Sequence, residues 1–226
     1  MYKLKSSAFS SVVLVTAFVM VPSFALDLNA VFDNQKKAAF PDTCEMQMRT
    51  TVTLPGQAAQ VVDMTVINAG ESKSVTTIKS SVMQMKMVQN DGRMKVTDLK
   101  TGKALPAQNM PQQNPADVSK QMGSPADYNT PVKDGGLWKI TPKNASKPTL
   151  YYSAAQKRVV KMTIVMNGAT AKSEFEYCGN SCALPGTLKK VSITTALDAG
   201  GTSNVVMEVL SAKQRKVLPS GMFDLE

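Results

Sequence analysis

The sequence predicts an α+β chain that is mostly β, an antiparallel meander of about ten strands with an N-terminal helix and a short helical lid. Three observations predict it. Two stretches carry a two-residue hairpin signal flanked by residues alternating between apolar and polar. Most other period-two segments follow one another across short turns, as antiparallel neighbours do. Helical periodicity is confined to two places, the start of the mature chain and a proline-rich excursion.

The first hairpin lies in residues 83–96, MQMKMVQNDGRMKV. Met83, Met85 and Met87 share one parity and Gln84 and Lys86 the other, the signature of a strand with one buried face. Asp91-Gly92 supplies the positive φ angles of a type I′ turn. Pairing Asn90 with Arg93 sets Met87 opposite Val96 and Gln89 opposite Met94, so both arms turn their apolar residues to one side. The second hairpin, 158–177, turns at Asn167-Gly168. Counting outward, Met166 faces Ala169, Ile164 faces Ala171 and Val160 faces Phe175, with Met162 on the same side. On the other face Lys161 lies opposite Glu174, a favourable cross-strand pair.

Further strands are read at 45–54, 60–68, 73–80, 137–141, 187–197 and 204–210. Residues 26–40 read as a helix with Leu28, Val31 and Phe32 on one side, Asp27 as cap and Pro41 as stop. The excursion at 104–136 carries five prolines, which rule out a long regular element. Within it, Asn114 as N-cap, Pro115 at the first position and Gly123 as stop frame one short helix, with Val118 and Met122 as its apolar side.

The first 25 residues are an address. Lys3 and Lys5 precede an apolar run from Val12 to Val21, and Ser23-Phe24-Ala25 puts small residues where a signal peptidase reads. The run is short for a bilayer span. Cleavage after Ala25, export to the periplasm and a single domain over 26–226 are expected, and Leu26-Asp27 supplies no cysteine for a lipid anchor. Losing Lys3 and Lys5 lowers the formal charge from +9 to +7. No dense basic run interleaved with aromatics is present, so nucleic acid is not an expected partner.

The chain has no histidine, which removes Ser-His and Cys-His nucleophile activation and histidine-ligated zinc. Asp and Glu are scattered without a catalytic pairing, so an enzyme is not expected, nor are a catalytic residue, a metal site or a cofactor. Of the three cysteines, Cys178 and Cys182 flank Gly179-Asn180-Ser181, a turn-forming trio. A disulfide closing that small loop is the first expectation, with Cys44 pairing to one of them as its competitor.

Thirteen methionines remain once Met1 and Met20 are removed with the leader. Met-x-Met strands suit Cu(I), yet these alternate among Val, Ile and Phe. Packed core is one reading. A soft lining for an acyl chain is the other, since methionine adapts to varied apolar partners, and the apolar face looks larger than the helices available to cover it. The residues expected on that face are Met83, Met85, Met87, Met94, Val96, Val160, Met162, Ile164, Met166 and Phe175, under a lid bearing Val118 and Met122.

The ending NVVMEVLSAKQRKVLPSGMFDLE, with Leu218-Pro219 and Phe223 four residues on, and the stretch PTLYYSAAQKRVVKMTI resemble the LolA-like superfamily of exported lipoprotein carriers and lipid-binding proteins. So does the order of leader, helix, meander and helical insert. The arginine-bearing strand of true lipoprotein carriers has no clear match, and its role is not carried onto Arg49. The resemblance implies a strongly curved sheet, an incomplete barrel with helices over its apolar concave side. It implies a monomeric carrier of a lipid or lipoprotein acyl chain that gives its cargo to an envelope partner. A non-carrier envelope interaction protein and a methionine-rich copper-binding protein are the alternatives.

Overall fold

The computed structural model describes residues 26–226 apart from 71, 107–117, 167, 198–199 and 226. The leader and the expected cap Asn114-Pro115 lie outside the described residues. The chain opens with α1, Leu28–Lys36, whose first turn is capped by the Asp27 carboxylate accepting from the Asn29 N–H at 2.9 Å. Val31, Phe32 and Gln35, one stripe at helical spacing, are its buried residues.

Strands follow as β1 (Thr43–Thr53), β2 (Gln60–Ala69), β3 (Lys73–Ser80), β4 (Gln84–Asn90), β5 (Arg93–Asp98) and β6 (Ala104–Leu105). The excursion contributes α2 (Val118–Met122) and a 3-10 turn (Pro125–Asp127), and Gly123 ends α2 at a φ of 77°. Then come β7 (Val132–Asp134), β8 (Leu137–Ile140), β9 (Thr149–Ser153), β10 (Arg158–Met166), β11 (Ala169–Tyr177), β12 (Leu188–Ala196) and β13 (Thr202–Gln214). All thirteen form one antiparallel sheet in the order β6-β5-β4-β3-β2-β1-β13-β12-β11-β10-β9-β8-β7. The sheet is a strongly curved, incomplete barrel in which β6 and β7 are the two open edges. Three strands lie beyond the expected ten: β6 and β7, two- and three-residue edges with no room to show an alternating pattern, and β9, five residues between β10 and β8.

Both hairpins have the registers their turns dictate. Asn90 pairs with Arg93, Gln89 with Met94 and Met87 with Val96, around Asp91 at φ 47° and Gly92 at φ 80°. Lys161 pairs with Glu174, Ile164 with Ala171 and Met166 with Ala169. The β10–β11 ladder ends at Lys161–Glu174, one pair short of the expected Val160–Phe175. In the β9–β10 ladder a bulge falls between Val159 and Lys161; Val159 is fully buried and Val160 half-buried.

Partners across a ladder share a face, so the register sorts the two sides. On the side opposite α1, Val88 pairs with Val75 and Val75 with Ile67, and Ile67 pairs with Glu45. Val75 and Val88 are nevertheless buried. The residues after β13 cross this back face: the Arg215 N–H bonds the Thr43 carbonyl at 3.1 Å, and Asn90 Nδ2 donates to the Phe223 carbonyl at 3.2 Å. Glu45 anchors the start of the crossing by pairing with Arg215 and, at 3.4 Å, with Lys213. Burial opposes its charge, but these cations outweigh burial and hold its carboxyl below the usual range.

Candidate functional site

The α1 side of the sheet carries two apolar rows through β1–β6. One runs Met48, Met64, Ile78, Met85, the other Met46, Val66, Thr76, Met87, Val96, Leu105. Below them lies a row containing Asn68, Ser74 and Gln89, with Cys44 at one end and Met94 at the other. The row above contains Thr50, Val62 and Ser80. The band is therefore two residues wide across β1–β4, where the first row ends against Asp98 of β5, and one residue wide on to β6, edged by more polar rows. With strands ~4.8 Å apart, the band is roughly 24 Å long.

The same face continues beyond β1 into a row of Ile140, Leu150, Met162, Ser173, Ile193, Val205 and Val52. Phe175, Val191 and Met207 form a second. This half lies under the helices. α1 packs against β10, α2 and the 3-10 turn, and Val31, Phe32, Val118 and Met122 join Ile140, Leu150 and Met162 in one buried cluster, which also takes in Met46, Met48 and Val66 at the β1–β2 end of the band. Phe32 and Tyr128 meet with ring centroids 5.7 Å apart, and the Tyr128 hydroxyl donates to the Met122 carbonyl at 2.7 Å, tying α2 to α1.

The expected face residues thus separate. Met85 and Val96 are buried and Met87 and Met94 half-buried in the methionine band. Met162 and Phe175 belong to the helix-covered cluster, and Ile164 is half-buried. The Met166 side chain lies outside the described residues. Met83 is corrected: it precedes β4 in a connection where its carbonyl accepts from the Ser80 N–H at 2.8 Å, and it is 40% exposed. The tight β3–β4 turn holds it off the face. Arg49 lies on the back face, where it forms a two-pronged pair with Asp63, at 2.7 Å from Nε and 3.2 Å from Nη2.

Sequence reasoning missed the polar latch under α1. Gln35 Oε1 accepts from the Val159 N–H at 3.0 Å while its Nε2 donates to the Tyr177 hydroxyl at 3.0 Å. That hydroxyl donates to the Val159 carbonyl at 2.7 Å. Val159 lies beyond the end of the β10–β11 ladder, and this ring satisfies its backbone N–H and carbonyl. Burial pushes the Tyr177 hydroxyl up to about 12. A signal was present: Gln35 falls four residues after Val31, inside the apolar stripe, where a polar side chain requires a partner.

Cys178, Cys182 and Cys44 are free thiols in this structure. Burial first, and then the hydrogen-bonded Cys182 thiol beside it, push Cys178 up to about 11. Cys44 is fully buried in β1. Among the described residues no group of three or more Cys, Asp or Glu gathers as a metal site. A cavity of about 710 Å³ lies away from the methionine band, between Gln57–Val61 and Lys79–Ser81 beside Asp63.

An open antiparallel half-barrel with a helix over one part of its apolar face is the LolA-like fold. A LolA superfamily protein of Nitrosomonas europaea shares it with a TM-score of 0.60 at 15% identity, over 88% of this chain and 98% of that one. A Vibrio parahaemolyticus domain described as an outer membrane lipoprotein-sorting protein gives 0.53 at 8% identity, over 87% and 95%. A DUF1329 family protein of Desulfovibrio piger gives 0.51 at 12% identity, over 88% and 97%. At such identities the likeness is one of fold. No protein-family model matches the chain, and no curated protein matches it by sequence.

Proposed function

We propose that this chain is a periplasmic binding or carrier protein, not an enzyme, holding a lipid or the acyl chain of a lipoprotein on the methionine band of β1–β6. One observation carries the reading: one apolar row crosses six strands and a second crosses four, and much of the band runs beyond the helix. Past Met46, Met48 and Val66, which join the buried cluster of α1, it continues through Ile78, Met85, Met87 and Val96, while the contacts of α1 fall on β10, α2 and the 3-10 turn. Its length suits an acyl chain laid across the strands. Each methylene buried there contributes about 0.8 kcal/mol. Met85 and Val96 are already out of solvent, so loading requires flexible side chains to part, which methionine does at low cost. The lipoprotein-sorting description of the Vibrio neighbour supports the cargo class. The mature unit is residues 26–226, exported after cleavage at Ala25, acting as a monomer and giving its cargo to an envelope protein, with Val118 and Met122 on the lid.

Native mass spectrometry of the purified mature chain tests this directly. Added lipid mass supports it, whereas an unadducted chain or a copper adduct favours one of the two alternatives. A fluorescent fatty-acid probe localises the site: Met85→Gln should weaken binding while the fold survives. If the probe binds neither protein, the carrier reading fails.

Cys178 and Cys182 are proposed to close a structural disulfide on export, two thiols losing two protons and two electrons to a thiol–disulfide oxidant. Cys44 is too buried to label in the native chain. Unfolding without reductant and then alkylating should therefore label Cys44 alone; labelling of all three cysteines rejects the bridge.

A further inference from the structure

We propose that the rim of the sheet formed by the β3–β4 and β5–β6 connections is a docking surface for anionic lipid bilayers. The register puts these connections at one end of the sheet: Lys79 pairs with Gln84, Met85 with Asp98 and Thr97 with Ala104. Three apolar side chains stand out at this rim, Val82 at 83% exposure, Met83 at 40% and Leu99 at 42%. Exposed tips of this kind are unusual unless something apolar receives them.

Their charged neighbours are one-sided. Lys79, Lys86, Lys100 and Lys103 are exposed around the tips and none is in an ion pair among the described residues. The two acids beside them are otherwise engaged: Asp98 caps its own loop by accepting from the Lys100 and Thr101 N–H groups at 2.7 and 3.2 Å, and Asp63, across the ladder from Lys79, is paired with Arg49. Apolar tips ringed by lysines match a surface that is negative at the headgroups and greasy just beneath. The opposite end of the same strands is different. Its turns there are Gly70 to Ser72 and Asp91-Gly92, and no large apolar residue is exposed in them among the described residues. The docking rim abuts the long side of the methionine band, because Met85 pairs with Asp98, the last residue of β5. A chain seated on a bilayer by this rim therefore presents that side of the band to the lipid.

Co-sedimentation of the mature chain with phosphatidylethanolamine–phosphatidylglycerol vesicles reads the proposal. Binding is expected, and should fall when phosphatidylcholine replaces phosphatidylglycerol or when salt is raised. Val82→Asp with Leu99→Asp, and separately Lys100→Glu with Lys103→Glu, should each weaken it about tenfold or more. Lys73→Glu with Arg93→Glu, matched in charge but at the other end, where both residues pair with Asn90, should bind like the parent. Circular dichroism confirms that each variant is folded. No binding by the parent, undiminished binding by the rim variants, or equal loss in the charge-matched control overturns the proposal. The acyl-chain reading is scored separately by the fatty-acid probe in solution, which the rim variants should still bind.

Discussion

The half of the sheet from β8 to β13 and the half from β2 to β5 present the same apolar face with different means of covering it. In the first, Ile140, Leu150, Met162 and Leu188 share one buried cluster with side chains of α1 and α2, and the latch of Gln35, Val159 and Tyr177 fixes the helix in place. In the second, the methionines Met64, Met85 and Met87 are interspersed among the branched Val66, Ile78 and Val96. Branched side chains in fixed rotamers specify one packing; unbranched thioethers tolerate several. The first half is built to hold one shape and the second to adapt.

That contrast can be broken most forcefully from the rigid side. Leu150→Ala, at a fully buried position, should cost about 2–5 kcal/mol in urea denaturation. Gln35→Ala leaves the Val159 N–H without its partner, and should cost about 1–3 kcal/mol by the same measurement. Met85→Ala, in the adaptable half, should cost less than about 2 kcal/mol, because its neighbours can close over the space. A loss there equal to that of Leu150→Ala would make the two halves one packed core. Lys86→Ala, exposed on the back face, should stay within about 0.5 kcal/mol.

The latch also has a pH signature. Burial holds the Tyr177 proton until about pH 12, while the unfolded chain releases it near the ordinary value of 10. Between those values the folded state binds more protons, so this contribution to stability is complete below pH 10 and is lost as pH rises toward 12. Tyr177→Phe should flatten the alkaline fall in a denaturation series, and an unchanged slope would separate the hydroxyl from the latch.

The hairpins were legible because turn chemistry and side-chain parity are both local: Asp91-Gly92 fixes the register from Met87 to Val96 without reference to the rest of the molecule. The end of the β10–β11 ladder was not legible, because beyond it Val159 is bonded by Gln35 and Tyr177, the first of them far away in the chain. Met83 alternates correctly with Met85, but the hydrogen bond from Ser80 ends the strand before it. The band itself could not be read from any one strand. It exists only once Met48, Met64, Ile78 and Met85 are aligned across four of them.

The pairing of β1 with β13 sets Cys44 against Gln214, so the first and last strands form the seam at the middle of the sheet rather than its edges. Such long-range closure makes assembly slow and late. Neither flank can complete its neighbour across the seam until almost the entire polypeptide has been delivered. The export proposed for this chain would gain from that delay if it proceeds unfolded. For the same reason, deleting the final strand would remove the joint between two meanders and leave both without their common support.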